Sequence, residues 1–186
     1  MNQASSEQEA MEETHSVSAC LLVDIGGEAF GISISSVKEV IELESITTVP
    51  MCSDKDGSSI VSGVINVRGS VVPVIDAGKR LGLKHEKSYD KYSCIVLYES
   101  YDEASHAVVT VGILVQRVKA IEGLTAEDLT DAPYFGVHIP AHFVSTMARI
   151  KDQVFIILDM ATLLNLSSIN QEVLSNQKQI FNNLLS

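Results

Sequence analysis

The sequence predicts a mainly β fold of two small β-barrels, with short helices between strands and a helical C-terminal segment. Three observations carry this prediction. Short apolar runs alternate with polar residues, turn residues separate the runs, and only the last part of the chain changes to a helical period. In the first run, residues 20–25, Leu21, Val23 and Ile25 alternate with their neighbours. Gly26-Gly27 then predicts a hairpin turn that leads to a partner strand over residues 28–34.

The elements up to residue 82 follow in the same manner. Ser35 or Ser36 is expected to cap a helical turn over residues 37–39, after which an extended pattern resumes. Residues 51–59 are a loop by composition. Two β-rich runs, 60–67 and 71–75, then predict a hairpin whose turn is Arg68-Gly69-Ser70. Asp76 is expected to cap a short helix, 77–81, that Gly82 closes.

The second half repeats this style, although the sequence contains no close internal repeat. The strands predicted there cover residues 92–98, 106–115, 117–121, 144–150 and 154–158. Thr125 and Asp128 have the spacing of a capping box, with the Thr125 hydroxyl available to a backbone N–H, and predict a one-turn helix. From Asp159 the apolar spacing becomes helical, with a break near Asn165 and Ser168 and Gln171 as a second capping pair.

Charge and composition divide the chain into three parts. Residues 1–16 hold four glutamates and no Lys or Arg, and we expect a disordered acidic tail. Residues 17–165 form the folded part, with a first lobe at about 17–84 and a second at about 92–158, separated by the charged stretch 84–91. Residues 159–186 form the helical C-terminal segment.

Composition also restricts the partners. The 186 residues include 24 acidic and 13 basic side chains, which gives a formal net charge of −11. Nucleic acid and anionic lipid surfaces would be repelled, so we expect no nucleic-acid partner. The N-terminus lacks the basic start and the apolar run of a secretion signal. No apolar run in the sequence is long enough to insert into a membrane. We therefore expect a cytoplasmic protein.

Motifs for catalysis, metal binding or cofactor binding are absent from the sequence. Cys20, Cys52 and Cys94 form no CxxC pair and are expected to be buried or idle thiols. His138 and His142 flank Pro140, which disfavours the helix that would place both rings on one metal. The glycines match neither of two phosphate-binding patterns, G-x-x-x-x-G-K-S/T and G-x-G-x-x-G. We expect neither an enzyme nor a resident cofactor or metal.

The segment 63–76 is the strongest functional candidate. Its arginine, Arg68, stands at a hairpin tip between two aliphatic strands, and Gly69 permits the tight return. A guanidinium there offers a planar fork for a partner's carboxylate or carbonyl groups. The alternative is an ordinary solvated turn residue, and the pattern alone does not decide between the two.

At this hairpin the chain resembles the CheW-like family, adaptors that couple bacterial chemoreceptors to a sensor histidine kinase. The matching segments run in order from about Val17 to Asn165: Phe30-Gly31-Ile32, Val37-Lys38-Glu39-Val40-Ile41, Gly63-Val64-Ile65-Asn66-Val67-Arg68-Gly69, Val72-Pro73-Val74-Ile75-Asp76, Leu124-Thr125-Ala126-Glu127-Asp128-Leu129 and Phe155-Ile156-Ile157-Leu158-Asp159. The order and spacing of these segments together are specific.

The resemblance implies two intertwined five-stranded β-barrel lobes and a noncatalytic scaffold of chemotaxis signal transduction. Its partners would be the cytoplasmic tip of a chemoreceptor and the regulatory domain of a CheA-type histidine kinase, at membrane-associated receptor arrays. Carried over by position, the partner-binding residues are Val37, Glu39, Gly63 and Arg68. Glu39 would either offer its carboxylate to a partner or pair with a basic side chain of its own chain.

Three alternatives stay open at this point. The chain could be a CheW-like adaptor of a dedicated motility or second-messenger pathway, or the CheW-like part of a coupling protein that also carries a receiver domain. From a different class, a small β-barrel could bind a small ligand or an oligonucleotide. The negative charge and the absence of Trp disfavour the oligonucleotide.

Overall fold

Strands dominate the architecture. The computed structural model of the chain describes residues 18–43, 46, 59–83, 89–130, 138–165, 167 and 169. Within them lie strands β1 Ser18–Ile25, β2 Glu28–Ser33, β3 Val37–Glu42, β4 Val61–Val67, β5 Ser70–Asp76, β6 Cys94–Asp102, β7 Ala107–Val115, β8 Arg117–Leu124, β9 Leu129–Thr130, β10 Val144–Ile150 and β11 Gln153–Leu158. The helices are α1 Ala77–Arg80 and α2 Met160–Leu163, with 3-10 turns at Ile34–Ser36, Ala126–Asp128 and Ala141–Phe143.

The strands pair into two sheets. The first has the order β8-β1-β2-β11-β10-β9 and the second β3-β6-β7-β5-β4. Pairing is antiparallel except between β2 and β11 and between β5 and β7. The expected mainly β, two-lobed fold is confirmed. The first sheet has six strands rather than the expected five, because the two-residue strand β9 pairs with β10 and adds an edge strand to the sheet.

The sheets divide the chain differently from the expected lobes at about 17–84 and 92–158. Strands β6 and β7, which follow residues 84–91, pair with β3 and β5, which precede them. Strands β1 and β2, which precede residues 84–91, pair with β8 and β11, which follow them. Each sheet therefore takes strands from both sides of the expected boundary, and this exchange intertwines the two sheets.

The predicted first hairpin is confirmed. Gly26 and Gly27 have φ of 64° and 90°, a conformation that glycine adopts without the strain of a Cβ. The Gly27 N–H donates to Asp24 Oδ1 at 2.9 Å, and the Gly26 N–H donates to Gln116 Oε1 at 2.9 Å. The turn is thereby tied to the β7–β8 connection as well as to its own strand.

The prediction of a helical turn over residues 37–39 is wrong. The turn is a 3-10 helix at Ile34–Ser36, and Val37 already begins β3. Val37 pairs with Tyr98 of β6 and packs against the main apolar cluster. Pairing with β6 and the β preference of branched side chains therefore outweigh the local capping signal from the two serines.

Three apolar clusters hold the sheets together. The largest lies between them and combines fully buried side chains such as Leu21, Val23 and Phe30 of the first sheet with Val96 and Ile113 of the second. The opposite face of the first sheet buries Cys20, Leu22, Leu124, Ala148, Phe155 and Ile157. The opposite face of the second sheet buries Ile65, Val72, Val74, Ile95, Leu97 and Leu114. Full burial of each Val, Leu, Ile or Phe among them stabilises the fold by roughly 1.5–3 kcal/mol.

The predicted buried thiol is confirmed at Cys20, which is 1% exposed. Burial, and then the charge of Glu122, raises the pKa of this thiol. Cys94 is half-buried, and Cys52 lies outside the described residues. Cys20 is therefore a core side chain and a poor nucleophile.

The two short helices are capped in the same way. Asp76 Oδ1 accepts from the Lys79 N–H at 3.0 Å, and Asp159 Oδ1 accepts from the Thr162 N–H at 2.9 Å. The predicted closure of α1 by Gly82 is confirmed: its φ is 73°, and its N–H donates to Lys79 O at 3.0 Å.

The C-terminal segment agrees with the sequence as far as it is described. Helix α2 ends at Leu163, Leu164 and Asn165 interrupt it, and residues 167 and 169 are again helical. The expected break near Asn165 is thus confirmed. The expected tail 1–16, the Ser168 and Gln171 capping pair and residues 170–186 lie outside the described residues.

The two sheets contain a structural repeat. Adding 83 to the residue numbers of β4 gives those of β10, and the same shift converts α1 into α2 and Asp76 into Asp159. The register shifts of β4 at Val61/Gly63 and of β10 at Val144/Thr146 also correspond. Pairing pattern and caps are preserved where residue identities are not, which explains why the sequence revealed no close repeat.

The expected capping box of Thr125 and Asp128 is confirmed. The Thr125 N–H and hydroxyl both donate to Asp128 Oδ2 at 2.8 Å, at the start of the 3-10 turn. The carboxylate of Asp128 thus accepts from both the backbone N–H and the hydroxyl of Thr125. These donors lower the pKa of Asp128, the backbone N–H of Thr125 having the larger effect.

Replacing Asp159 tests the cap of α2. Asp159→Ala removes the side-chain acceptor and should lower the free energy of unfolding by about 1 kcal/mol. Asp159→Asn keeps an oxygen acceptor and should cost clearly less. Urea unfolding of both variants measures the difference, and equal losses would contradict the cap.

Replacing Thr125 tests the pKa of Asp128. Thr125→Val removes the hydroxyl donor, so the pKa should rise towards its ordinary value of 3.8 but stay below it, because the backbone N–H still donates. Because this pKa is lower in the folded state than in the unfolded state, the ionised carboxylate stabilises the fold at pH values above the unfolded-state pKa. This contribution is lost as the pH falls through the folded-state pKa. NMR titration of the Asp128 carboxyl carbon measures the shift; an unchanged pKa would contradict the hydroxyl contact.

Candidate functional site

Arg68 occupies the tip of the β4–β5 hairpin, as predicted. Arg68 and Gly69 have φ of 51° and 87°, the positive values that a two-residue turn between twisted strands requires. The Gly69 N–H donates to Asn66 Oδ1 at 2.9 Å and braces the turn. The Arg68 side chain is 81% exposed. A rigid turn thus presents a solvated guanidinium.

Glu39 is the partner of this arginine. Arg68 Nη2 donates to Glu39 Oε2 at 2.7 Å, and the Glu39 side chain is 31% exposed. The sequence left open whether Glu39 faces a partner or an internal base, and the structure places it in an internal pair. A register shift between Val37 and Glu39 inserts Lys38 into β3 at this point. Such a bulge redirects side chains, and Lys38 pairs with Glu99 Oε1 at 3.0 Å.

The Arg68–Glu39 pair borders a groove in the second sheet with a volume of about 680 Å³. Its lining residues come from β3 to β7 and are Lys38, Glu39, Val67, Arg68, Ser70, Val71, Val72, Pro73, Leu97, Val109 and Thr110. We call this feature the groove. Val71 is 70% exposed, whereas Val72 and Leu97 are buried members of the apolar cluster within the second sheet.

The chemistry of the groove is that of a contact surface. Aliphatic walls offer desolvation energy to an apolar side chain, while two ion pairs at the edge offer charged donors and acceptors. The one carboxylate and one guanidinium that face each other neutralise one another. Among the described residues that line the groove there is neither a histidine nor a cysteine.

Of the four predicted site residues, only Glu39 and Arg68 lie together at the groove. Val37 is half-buried against the main apolar cluster, and Gly63 is buried at the register shift of β4 with φ of 146°. Neither Val37 nor Gly63 lines the groove. At Gly63 a side chain would be strained by the backbone itself.

Sequence reasoning missed the far wall of the groove. Leu97, Val109 and Thr110 come from β6 and β7, and no local motif marks them. Lys38 could have been found, since it is adjacent to Glu39 and basic. Val71 also carried a signal, because alternation along β5 points it away from its buried neighbours Val72 and Val74.

The rest of the described chain shows no competing chemical site. His138 and His142 are exposed, and the His142 ring lies tilted against that of Phe143, with ring centroids 4.2 Å apart. In the part of the chain that the structure describes, no three His, Cys, Asp or Glu residues group closely enough to hold a metal ion. No helix within the described ranges has the length and apolar character needed to cross a membrane.

Comparison with known proteins identifies relatives over most of the chain. A family model described as a CheW-like domain matches residues 19–168. The chemotaxis protein CheW of Klebsiella aerogenes is 27% identical over 145 residues, 78% of this chain and 80% of that protein. The chemotaxis protein CheW of Thermotoga maritima is 31% identical over 109 residues, 59% of this chain and 64% of its own.

A solved structure is also similar over most of the chain. The crystal structure of the scaffolding protein TtCheW from Thermoanaerobacter tengcongensis superimposes with a TM-score of 0.65 at 26% sequence identity. The match covers 79% of this chain and 92% of that one. The two-sheet arrangement is therefore the arrangement of that scaffold.

The Arg68–Glu39 pair should contribute little to stability. A double-mutant cycle of Arg68→Gln and Glu39→Gln should give a coupling of about 0.2–1 kcal/mol that decreases with salt, because both groups are solvated. Urea unfolding measures it. The matched pair is Lys151 and Glu122, 3.2 Å apart, in which the lysine is likewise 81% exposed in a hairpin turn. A coupling of zero at low salt would contradict the pair at Arg68.

Proposed function

Because the chain belongs to the CheW-like family, we propose that it is a noncatalytic scaffold in chemotaxis signal transduction. Its partners would be the cytoplasmic tip of a chemoreceptor and the regulatory domain of a CheA-type histidine kinase. The scaffold would work at receptor arrays on the membrane, held there by its partners. The net charge of −11 supports protein partners over nucleic acid, since phosphate backbones would be repelled.

The observation that carries the proposal is the groove with its exposed arginine. A turn of two positive-φ residues holds Arg68 in the solvent, and Glu39 fixes the direction of its guanidinium. A planar guanidinium can donate to a second acceptor without leaving the first. A partner's carboxylate or carbonyl group would therefore bind Arg68 while Glu39 stays paired.

The aliphatic wall supplies the second part of the contact. Val71 is largely exposed, although it lies beside the buried Val72. An apolar partner side chain inserted there would remove this surface from water at roughly 25 cal/mol per Å² of apolar area. Charged pairs at the edge would then select orientation more than they add affinity.

The mechanism follows from geometry. Both sheets share one buried cluster, so the protein can hold two bound partners at a fixed separation and angle. A small displacement of a bound receptor would then bias the kinase between active and inactive arrangements, provided that the scaffold contacts differ between the two. Nothing in this mechanism needs a bond to be made or broken on the scaffold.

Reversing the charge of Arg68 tests the site. Arg68→Glu should weaken kinase activation several-fold in a reconstituted mixture of receptor, scaffold and kinase, since like charges would face the partner's acceptor. The free energy of unfolding should stay within about 0.5 kcal/mol, as is usual for an exposed residue. ATP turnover by the kinase and urea unfolding measure the two quantities.

Two further variants make this experiment specific. Lys151→Glu applies the same charge change to a matched turn residue of the first sheet and should leave activation unchanged. The swap Arg68→Glu with Glu39→Arg rebuilds the internal pair with reversed direction and should not restore activation. Full activation by Arg68→Glu, or full rescue by the swap, would contradict a partner contact at Arg68.

A further inference from the structure

Arg80 connects the two sheets through a buried guanidinium. It is the last residue of α1, which follows β5 of the second sheet, and it is only 6% exposed. Its Nε donates to Leu163 O at 3.0 Å, and its Nη2 donates to Thr162 O at 3.2 Å. Both acceptors are at the end of α2, which follows β11 of the first sheet.

The acceptors explain the need for a cation. The last carbonyl groups of a helix lack the i+4 N–H donors of its interior and carry partial negative charge. Thr162 O also accepts from the Asn165 N–H at 3.4 Å. Leu163 is the structural repeat of Arg80, 83 residues later, so the side chain at the end of α1 reaches the backbone at the corresponding end of α2. A leucine at 163 cannot return the contact, and Arg80 therefore supplies the donors from one side alone.

The surroundings hold the guanidinium in place. Its central carbon lies 5.0 Å from the centroid of the Phe143 ring, a cation–π distance. Phe143, Leu163 and Leu164 all belong to the apolar cluster that the two sheets share. A planar group with fixed donors suits two neighbouring carbonyls better than a single ammonium group would.

We infer that Arg80 is a positioning residue that fixes α2, and with it the helical turn that buries Ile169, against the second sheet. Ile169 is 1% exposed in the shared cluster, and its N–H donates to Asn165 O at 3.0 Å. The tie makes the described residues that follow α2 part of the contact between the sheets. This inference stands independently of the proposed function.

Amide hydrogen exchange on the full chain tests the inference. Arg80→Lys keeps the charge but loses the forked donors, so the amides of Leu164, Asn165 and Ile169 should exchange roughly tenfold faster or more. Arg80→Met should increase their exchange further. In both Arg80 variants the amides of β6 and β7 should exchange as slowly as in the unmodified chain. In the surface variant Lys151→Met, the amides of Leu164, Asn165, Ile169, β6 and β7 should all exchange as in the unmodified chain.

The results separate positioning from plain stability. An equal increase at α2 and in β6 and β7 would mean that Arg80 only stabilises the whole fold, and it would overturn the inference. No increase at α2 would overturn it as well, and so would exchange in Arg80→Lys equal to that of the unmodified chain.

A measurement without any variant covers the case in which neither Arg80 variant folds. The Nε–H of Arg80 in the unmodified chain should exchange with water at least tenfold more slowly than that of the exposed Arg68, because it is buried and donates to Leu163 O. Equal exchange of the two Nε–H groups would contradict the tie.

Discussion

The apolar cluster between the sheets is the constraint on which the rest of the structure depends. Strand β1 places Leu21 and Val23 in this cluster and Cys20 and Leu22 in the cluster on its other face. Both faces of the strand are therefore buried, one against side chains of the second sheet and one against side chains of the first sheet itself. A scaffold that holds two proteins needs such a shared core, because separate lobes would move independently.

The groove depends on this core in turn. Its walls come from five strands of the second sheet, and only their pairing brings β3 close to the β4–β5 turn. Glu39 and Arg68 are 29 positions apart in the chain, yet the pair spans 2.7 Å. The groove is thus a product of the topology, while the turn that carries Arg68 is a local feature.

Local signals in the sequence were sufficient for the parts that local chemistry decides. Gly26-Gly27, Gly69 and Gly82 require positive φ, so the turns at these positions were predictable. The exchange of β6 and β7 was not, because the parallel pairing of β5 with β7 leaves no local pattern. The turn that carries Arg68 was predictable from local residues, whereas its pairing with Glu39 stayed open and the groove wall formed by Leu97 and Thr110 was missed, because both depend on strand pairing.

The most direct test of the account is to map where the partners bind. Adding an unlabelled CheA-type regulatory domain, or in a separate titration a receptor-tip fragment, to the isotopically labelled chain should shift the NMR signals of Arg68, Val71 and Thr110 with at least one of the two partners. The account predicts that these groove signals change while those of the β10–β11 turn stay constant with the same partner. Saturable binding of both partners that leaves every groove signal unchanged would contradict it.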